Sequence, residues 1–290
     1  MASSVILIGG PTASGKSAMA MRLARERNGC IINADAMQIY AGMPILTAQP
    51  EAEDRAEIPH CLYGTVCASD AFSVGKWLQE AKNAMAKAVN ARQTPILVGG
   101  TGLYFAAFLG GLADIPPIPD SARIEAAKLY DALGEENFRA ELALRDPQSA
   151  TRIARNDRQR LIRAYEVVMH TGKSLSYWQK EASGISDQDS GKEFEAERHL
   201  ILPSRDELYA ACDRRFLTMI ERGAIDEVKR LLSLDLPPAL PAMKILGVRE
   251  IAAFLRGEIS LDAAIAKAQQ MTRNYAKRQM TWFRNQWKTP

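Results

Sequence analysis

The chain has 290 residues, 47% hydrophobic and 24% charged, with Lys+Arg 37 against Asp+Glu 34. That composition supplies core material for one or two domains and excludes general disorder. No apolar run approaches the ~20 residues that span a bilayer, and Val5–Ile8 is too short for a signal-peptide core, so a soluble cytoplasmic protein without membrane attachment is expected.

Val5-Ile-Leu-Ile8 is apolar at every position, the pattern of a buried parallel strand. A glycine-containing loop follows, then a helical stretch from Ala18 to Arg27 and a second strand at Cys30-Ile-Ile-Asn33, which makes a βαβ unit. The spacing predicts a helix over Ser73–Arg92, with Trp77, Ala81, Ala84 and Ala88 on one face. It leads into another buried strand at Pro95-Ile-Leu-Val98. Short apolar strands alternating with helices define an α/β protein with a parallel sheet.

Ile115-Pro-Pro-Ile-Pro119 is a stiff connector, and Ser121–Leu175 reads as helical throughout. Ser183–Gly191 has the composition of a flexible loop. A strand is expected at His199–Leu202, then helices near Arg205–Leu234, Lys244–Arg256 and Ser260–Trp287. The organisation is therefore an α/β core, 1–113 and 198–290, interrupted by a helical insertion domain at 114–197. Cys30, Cys61, Cys67 and Cys212 form no Cys-x-x-Cys pair and, with His60, His170 and His199, offer no zinc spacing; buried thiols are expected.

The strongest motif is Gly10, Pro11, Thr12, Ala13, Ser14, Gly15, Lys16 and Ser17, which matches G-x-x-x-x-G-K-[ST] between a strand and a helix. Backbone N–H groups at the helix start would wrap phosphate oxygens, Lys16 would supply positive charge, and the Ser17 hydroxyl would ligate Mg²⁺. The motif leaves open whether the phosphates belong to a nucleotide or to another diphosphate. Ligands of such sheets gather at the carboxyl ends of the strands, where Asp35 and Thr101 fall. Each could be a helix cap, and Asp35 could instead accept a proton or hold metal. The Pro95–Val98 strand ends in Gly-Gly-Thr rather than Asp, which weakens a nucleoside-triphosphatase reading.

A formal net charge of +3 says little about partners, but its distribution does. No acid follows Asp262, whereas Lys267, Lys277, Arg284 and Lys288 recur with Gln270, Asn274 and Thr281 as one polar helical stripe. Leu261, Ile265, Ala268, Met271 and Tyr275 are expected on the packed face. Arg152, Arg155, Arg158, Arg160 and Arg163 form a second cluster with only Asp157 opposing. Both suit a nucleic-acid backbone. Trp282, Phe283 and Trp287 are expected to pack internally.

Taken together, Gly9-Gly-Pro-Thr-Ala-Ser-Gly-Lys-Ser17, Asp35-Ala-Met-Gln-Ile-Tyr40, Gly99-Gly-Thr-Gly-Leu-Tyr104, Asn156-Asp-Arg-Gln-Arg-Leu-Ile-Arg163, Gly247-Val-Arg-Glu250 and Lys277-Arg-Gln-Met-Thr-Trp282 resemble the bacterial-type tRNA dimethylallyltransferases, or tRNA isopentenyltransferases. The resemblance spans essentially the whole chain. It implies a P-loop NTPase-like parallel sheet core whose loop holds the diphosphate of an isoprenoid, not a nucleotide. It also implies transfer of a dimethylallyl group from dimethylallyl diphosphate to the exocyclic amine of the adenosine 3′ to the anticodon, in tRNAs reading codons that begin with U.

By the same resemblance Asp35, Thr101, Lys16 and Arg215 are catalytic and Mg²⁺ on Ser17 assists. The tRNA anticodon stem-loop would be contacted by Asp35, Ala36, Met37, Gln38, Thr101, Arg123, Gln159, Arg160, Leu161, Ile162, Arg163, Lys244, Gly247, Arg249, Lys277, Arg278, Gln279 and Arg284. Gln38 is expected to read the adenine edge. Ala36 stands where the family commonly has serine, and Val248 where it commonly has tyrosine. A monomer is expected. A small-molecule kinase using the same loop is the alternative, and a non-catalytic RNA-binding protein a third reading.

Overall fold

Strands that are apolar on both faces need cover on both sides, and the chain supplies it by alternating them with helices. The structure is a computed structural model and describes residues 3–185 and 194–287. It divides into two compact units, Met1–Phe108 with Lys192–Pro290, and Leu109–Gly191. In chain order the first carries β1 (Ser3–Gly9), α1 (Lys16–Arg27), β2 (Gly29–Asn33), α2 (Ala52–Glu57), β3 (His60–Cys61), α3 (Val74–Asn90), β4 (Thr94–Gly99) and α4 (Gly102–Gly110). The second holds α5 (Asp120–Ala143), α6 (Pro147–Arg152), α7 (Arg158–Thr171) and α8 (Leu175–Ile185). The chain then returns to the first unit as β5 (Phe194–Leu200), α9 (Arg205–Glu221), α10 (Ala224–Leu232), α11 (Val248–Leu255) and α12 (Leu261–Gln286).

The five strands form one sheet in the order β3-β2-β4-β1-β5, and every pairing is parallel. Gly9 pairs with Gly99 and Asn33 with Val98, so β1, β4 and β2 end level with one another. Ile6, Ile8, Ile31, Ile96 and Val98 pack on Ala20, Met21 and Leu23 of α1. On α3 the buried positions are Trp77, Ala81, Ala84, Met85 and Ala88, the expected face with one addition, and Ser73 caps the helix by accepting from Lys76 N.

Several boundaries differ from expectation. The short α2 and β3 have no apolar period to announce them. The strand expected at His199–Leu202 ends instead at Leu200, having begun at Phe194. The helix expected over 205–234 breaks at Gly223, whose φ of 102° ends α9 and opens α10. The one expected from Lys244 starts only at Val248, after a 3₁₀ turn at Ala242–Lys244 and Gly247 at φ 91°. Of the loop expected at 183–191, residues 186–191 lie outside the described residues. All four cysteines are free thiols; Cys30 and Cys212 are buried as expected, but Cys61 is half-buried and Cys67 exposed. Cys30 and Cys61 face each other at 3.7 Å from adjacent strands.

In the helical unit Phe138, Leu142, Leu161, Ile162, Tyr165 and Val168 make the core. The buried Asp146 caps α6, accepting from Ser149 N at 3.0 Å and from the Ser176 hydroxyl at 2.8 Å.

Candidate active site

The level ends of β1, β2 and β4 place three turns together. The first is the phosphate loop. Gly15, at φ 90°, occupies the left-handed region that glycine adopts without a Cβ clash, and it opens α1 so that its first N–H groups face outward. The second turn, after β2, is drawn onto the end of β4, since a Cβ on Gly99 would lie 2.0 Å from Ala34 O. Only glycine permits that approach. The third turn carries Thr101, whose Oγ1 accepts from Ala36 N at 2.9 Å.

These turns surround a cavity of about 420 Å³ lined by Thr12–Ala18, Asp35, Gln38, Thr47, Ala48, Tyr63 and Arg215, among others. Ser14 Oγ is buried there with no protein partner. A buried hydroxyl without a partner is costly, and an anion in the loop would remove that cost. Lys16 Nζ donates to Pro11 O at 2.5 Å. Loss of water around the ammonium lowers its pKa from the ordinary 10.5 to about 8, Asp35 opposing the shift and Arg215 adding to it. Arg215 reaches in from α9 and donates to the Thr12 hydroxyl. Burial lowers its pKa as well. Two desolvated cations beside an orphaned hydroxyl are the electrostatics of an anion cradle.

A second, smaller cavity of about 60 Å³ shares Thr12, Asp35, Thr47 and Arg215 with the first. Its remaining wall is mostly apolar: Met37, Leu46, Phe216, Met219, Ile245, Leu246 and Tyr275 take part. Asp35 therefore stands where an anion cradle meets an apolar recess. Its backbone is fixed by Asn33, which accepts from Asp35 N at 2.8 Å and donates to Asp35 O at 2.9 Å. Asp35 Oδ1 accepts from Met37 N at 2.9 Å. Neither Asn33 nor Tyr275 is marked as a site residue by the sequence pattern. Tyr275 hydrogen-bonds Thr101, and burial, with Asp35 nearby, raises its phenol pKa. The sequence signals are slight: a polar residue ending an apolar strand, and a tyrosine on the face of α12 expected to pack.

Other expected site residues are placed differently. Gln38 does not present its amide nitrogen to a ligand; that nitrogen donates to Thr47 O at 3.0 Å and Ala48 O at 2.6 Å. Gln279 is buried, its Oε1 accepting from Thr12 N and its Nε2 donating to Gly100 O, both at 2.8 Å. It lies on the packed face of α12 with Ala276, Met280 and Phe283, so it braces the loop and is no surface contact. That packed face runs through Ala264, Ala268, Thr272 and Ala276, and Met271 is exposed. Phe283 and Trp287 are buried as expected.

Gly247 is buried against Phe216, and Leu161 and Ile162 belong to the helical unit's core. Lys244 and Arg249 are exposed and border a groove of about 550 Å³.

Lys267, Gln270, Asn274, Lys277, Thr281 and Arg284 are all exposed along α12, as is Arg278; Lys288 lies outside the described residues. Arg273 is neutralised by Asp213 at 2.6 Å. The arginines of the helical unit are opposed by more than Asp157. Asp131 pairs with Arg158, and the buried Glu166 pairs with Arg163 at 2.6 Å and Arg123 at 3.5 Å. Gln159 and Arg160 are exposed on α7.

Ser17 is exposed in the larger cavity, and no group of three His, Cys, Asp or Glu gathers among the described residues. A single hydroxyl beside an anion cradle fits Mg²⁺, which keeps most of its ligands from water and substrate phosphates. No helix among the described residues is long and apolar enough to cross a membrane.

Fold and site together define a phosphate-loop α/β protein in which an acid stands between an anion cradle and an apolar recess. The IPP transferase family model matches residues 38–286, and the isopentenyl transferase model matches residues 3–58. The chain belongs to the IPP transferase family. It is 53% identical to a tRNA dimethylallyltransferase of Caulobacter sp. (strain K31), over 97% of this chain and 90% of that one. It is 51% identical to that of Rhodospirillum centenum, over 97% and 88%. Among solved structures, a eukaryotic dimethylallyltransferase acting on tRNA superposes with TM-score 0.82 at 27% identity, covering 97% of this chain and 70% of that one. A tRNA isopentenylpyrophosphate transferase from Staphylococcus epidermidis does so with TM-score 0.67 at 32% identity, covering 98% and 90%. These likenesses support prenyl transfer and not the kinase alternative.

Proposed function

We propose that the chain transfers a dimethylallyl group from dimethylallyl diphosphate to the exocyclic amine of the adenosine 3′ to the anticodon, in tRNAs reading codons that begin with U, and releases diphosphate. The observation that carries this reading is the place of Asp35, shared by the anion cradle and the apolar recess. An exocyclic amine is a weak nucleophile because its lone pair is delocalised into the purine. The allylic carbon compensates, since its bond to the diphosphate oxygen breaks readily once the departing charge is stabilised.

Loop N–H groups, Lys16 and Arg215 stabilise that charge. As the C–O bond breaks, the amine nitrogen bonds to the allylic carbon, and Asp35 accepts the proton that the amine loses. Thr101, hydrogen-bonded to Ala36 N and Tyr275, orients the groups at this junction. Ser17 would hold Mg²⁺, which would supply positive charge at the leaving group. The target base leaves its stack to reach Asp35. Lys244, Arg249, Lys277, Arg278 and Arg284, with Arg123, Gln159, Arg160 and Arg163 of the helical unit, hold the RNA. One chain supplies every group named, so a monomer suffices.

Incubating the protein with dimethylallyl diphosphate, Mg²⁺ and unmodified tRNA should yield a prenylated adenosine by nucleoside mass spectrometry. Phosphorylation of a small molecule from ATP, with no prenylated product, would overturn the assignment.

A further inference from the structure

Glu227 is 1% exposed on α10, and its carboxylate is spent on a segment 182 residues away in sequence. Its two oxygens accept from Ile45 N and Leu46 N, each at 2.8 Å. The recipient is a single helical turn, in which Thr47 N donates to Met43 O at 3.1 Å and Gln49 N to Pro44 O at 2.9 Å. The first N–H groups of such a turn have no carbonyl of their own to bond. Pro44 has no N–H, so the orphans are those of Ile45 and Leu46, and Glu227 takes both. At the other end the Thr47 and Ala48 carbonyls are taken by Gln38 Nε2. The turn is thus capped at both ends by side chains from elsewhere in the chain.

That turn is a wall of the site. Thr47 and Ala48 line the larger cavity with Lys16 and Asp35, and Leu46 and Thr47 line the smaller one with Asp35 and Phe216. We propose that Glu227 is a positioning residue for prenyl transfer, holding the 44–48 turn so that the donor is seated between the cradle and Asp35. Resting on the reading of these cavities as the reaction site, the assignment gives a function to a buried acid that touches no substrate. The charge suits its place: Glu227 lies in the first turn of α10, where the helix end favours an anion.

The test is Glu227→Gln, which keeps the shape but turns an NH₂ toward one of the two N–H groups. Steady-state kinetics should show KM for dimethylallyl diphosphate raised about tenfold or more, the order expected for a lost charge-assisted hydrogen bond. The kcat and the tRNA dissociation constant should stay close to wild type. Hydrogen exchange should speed up over 43–49 and stay unchanged over β1 and β4. A general loss of folded enzyme would lower kcat and leave KM alone; that pattern, or unchanged exchange at 43–49, overturns the proposal.

Should Glu227→Gln fail to fold, exchange in the wild-type protein decides. Amides of Ile45 and Leu46 protected like those of β1 support the clamp, and exchange as fast as an open loop refutes it. Wild-type protein that prenylates no tRNA would sink the reading of the site, whereas an active wild type with an indifferent Glu227→Gln would sink only the role of Glu227.

Discussion

Gln279 on the last helix accepts a hydrogen bond from the Thr12 backbone N–H at 2.8 Å, joining the phosphate loop to a residue 267 positions later. The same amide donates to Gly100 O, so one side chain ties the cradle to the turn that carries Thr101. Replacing it by alanine leaves the half-buried Thr12 N–H and the buried Gly100 carbonyl unpaired, the buried one at a cost of about 1–3 kcal/mol. Gln279→Ala should therefore lower the melting temperature and weaken diphosphate binding. Its affinity for unmodified tRNA should stay close to wild type, which a lost RNA contact would not allow; filter binding checks this.

Asp35 is the group placed to accept the proton. Asp35→Asn preserves an oxygen for Met37 N but removes the base, and turnover should fall by roughly 10²–10⁴. Binding of unmodified tRNA should be little changed. Single-turnover prenylation alongside tRNA binding measures both, and an Asp35→Asn enzyme of full activity would refute the role.

Lys16 makes a prediction in pH. Its pKa is about 8 in the folded chain against 10.5 ordinarily. Below pH 8 both states are protonated, and the folded chain bears the full cost of a desolvated ammonium. Above that the folded chain loses its proton first, and the cost fades toward pH 10.5. Lys16→Met should raise the melting temperature of the ligand-free protein at pH 7, with the advantage shrinking above pH 8. Diphosphate affinity of the wild type should fall as pH rises through the same range, because the neutral amine no longer attracts the anion. Thermal melts and calorimetric titration read the two effects.

The exposed stripe on α12 should act through phosphate charge. Lys277→Ala and Arg284→Ala should each weaken tRNA binding and reduce the slope of log affinity against log salt by about 0.7–0.9. KM for dimethylallyl diphosphate at saturating tRNA should not move. Unchanged salt slopes in both variants would remove this stripe from the RNA surface.

What could be read from the residues alone was whatever local chemistry dictates. The loop Gly10–Ser17 is contiguous, so its anion-binding geometry follows from a strand, two glycines and a helix start. Val5–Ile8 and Ile96–Val98 had to be covered strands because no polar residue offers them a solvent face. The α12 stripe followed from helical period. Even there, the packed side lies part of a turn from the one the period predicts: Ala264, Thr272 and Ala276 are buried and Met271 is exposed.

Tertiary structure decided which distant groups meet. That Arg273 is answered by Asp213, and Arg123 by Glu166, depends on partners that no run of adjacent residues displays. Gln38 and Gln279, both suited in type to reading a base, bond the backbone of neighbouring turns instead, Gln38 through its amide nitrogen to the Thr47 and Ala48 carbonyls and Gln279 to Thr12 N and Gly100 O, because those groups must be satisfied and these amides are within reach. Residue type sets what a side chain can bond; only the folded backbone determines which unmet groups lie near enough to claim it.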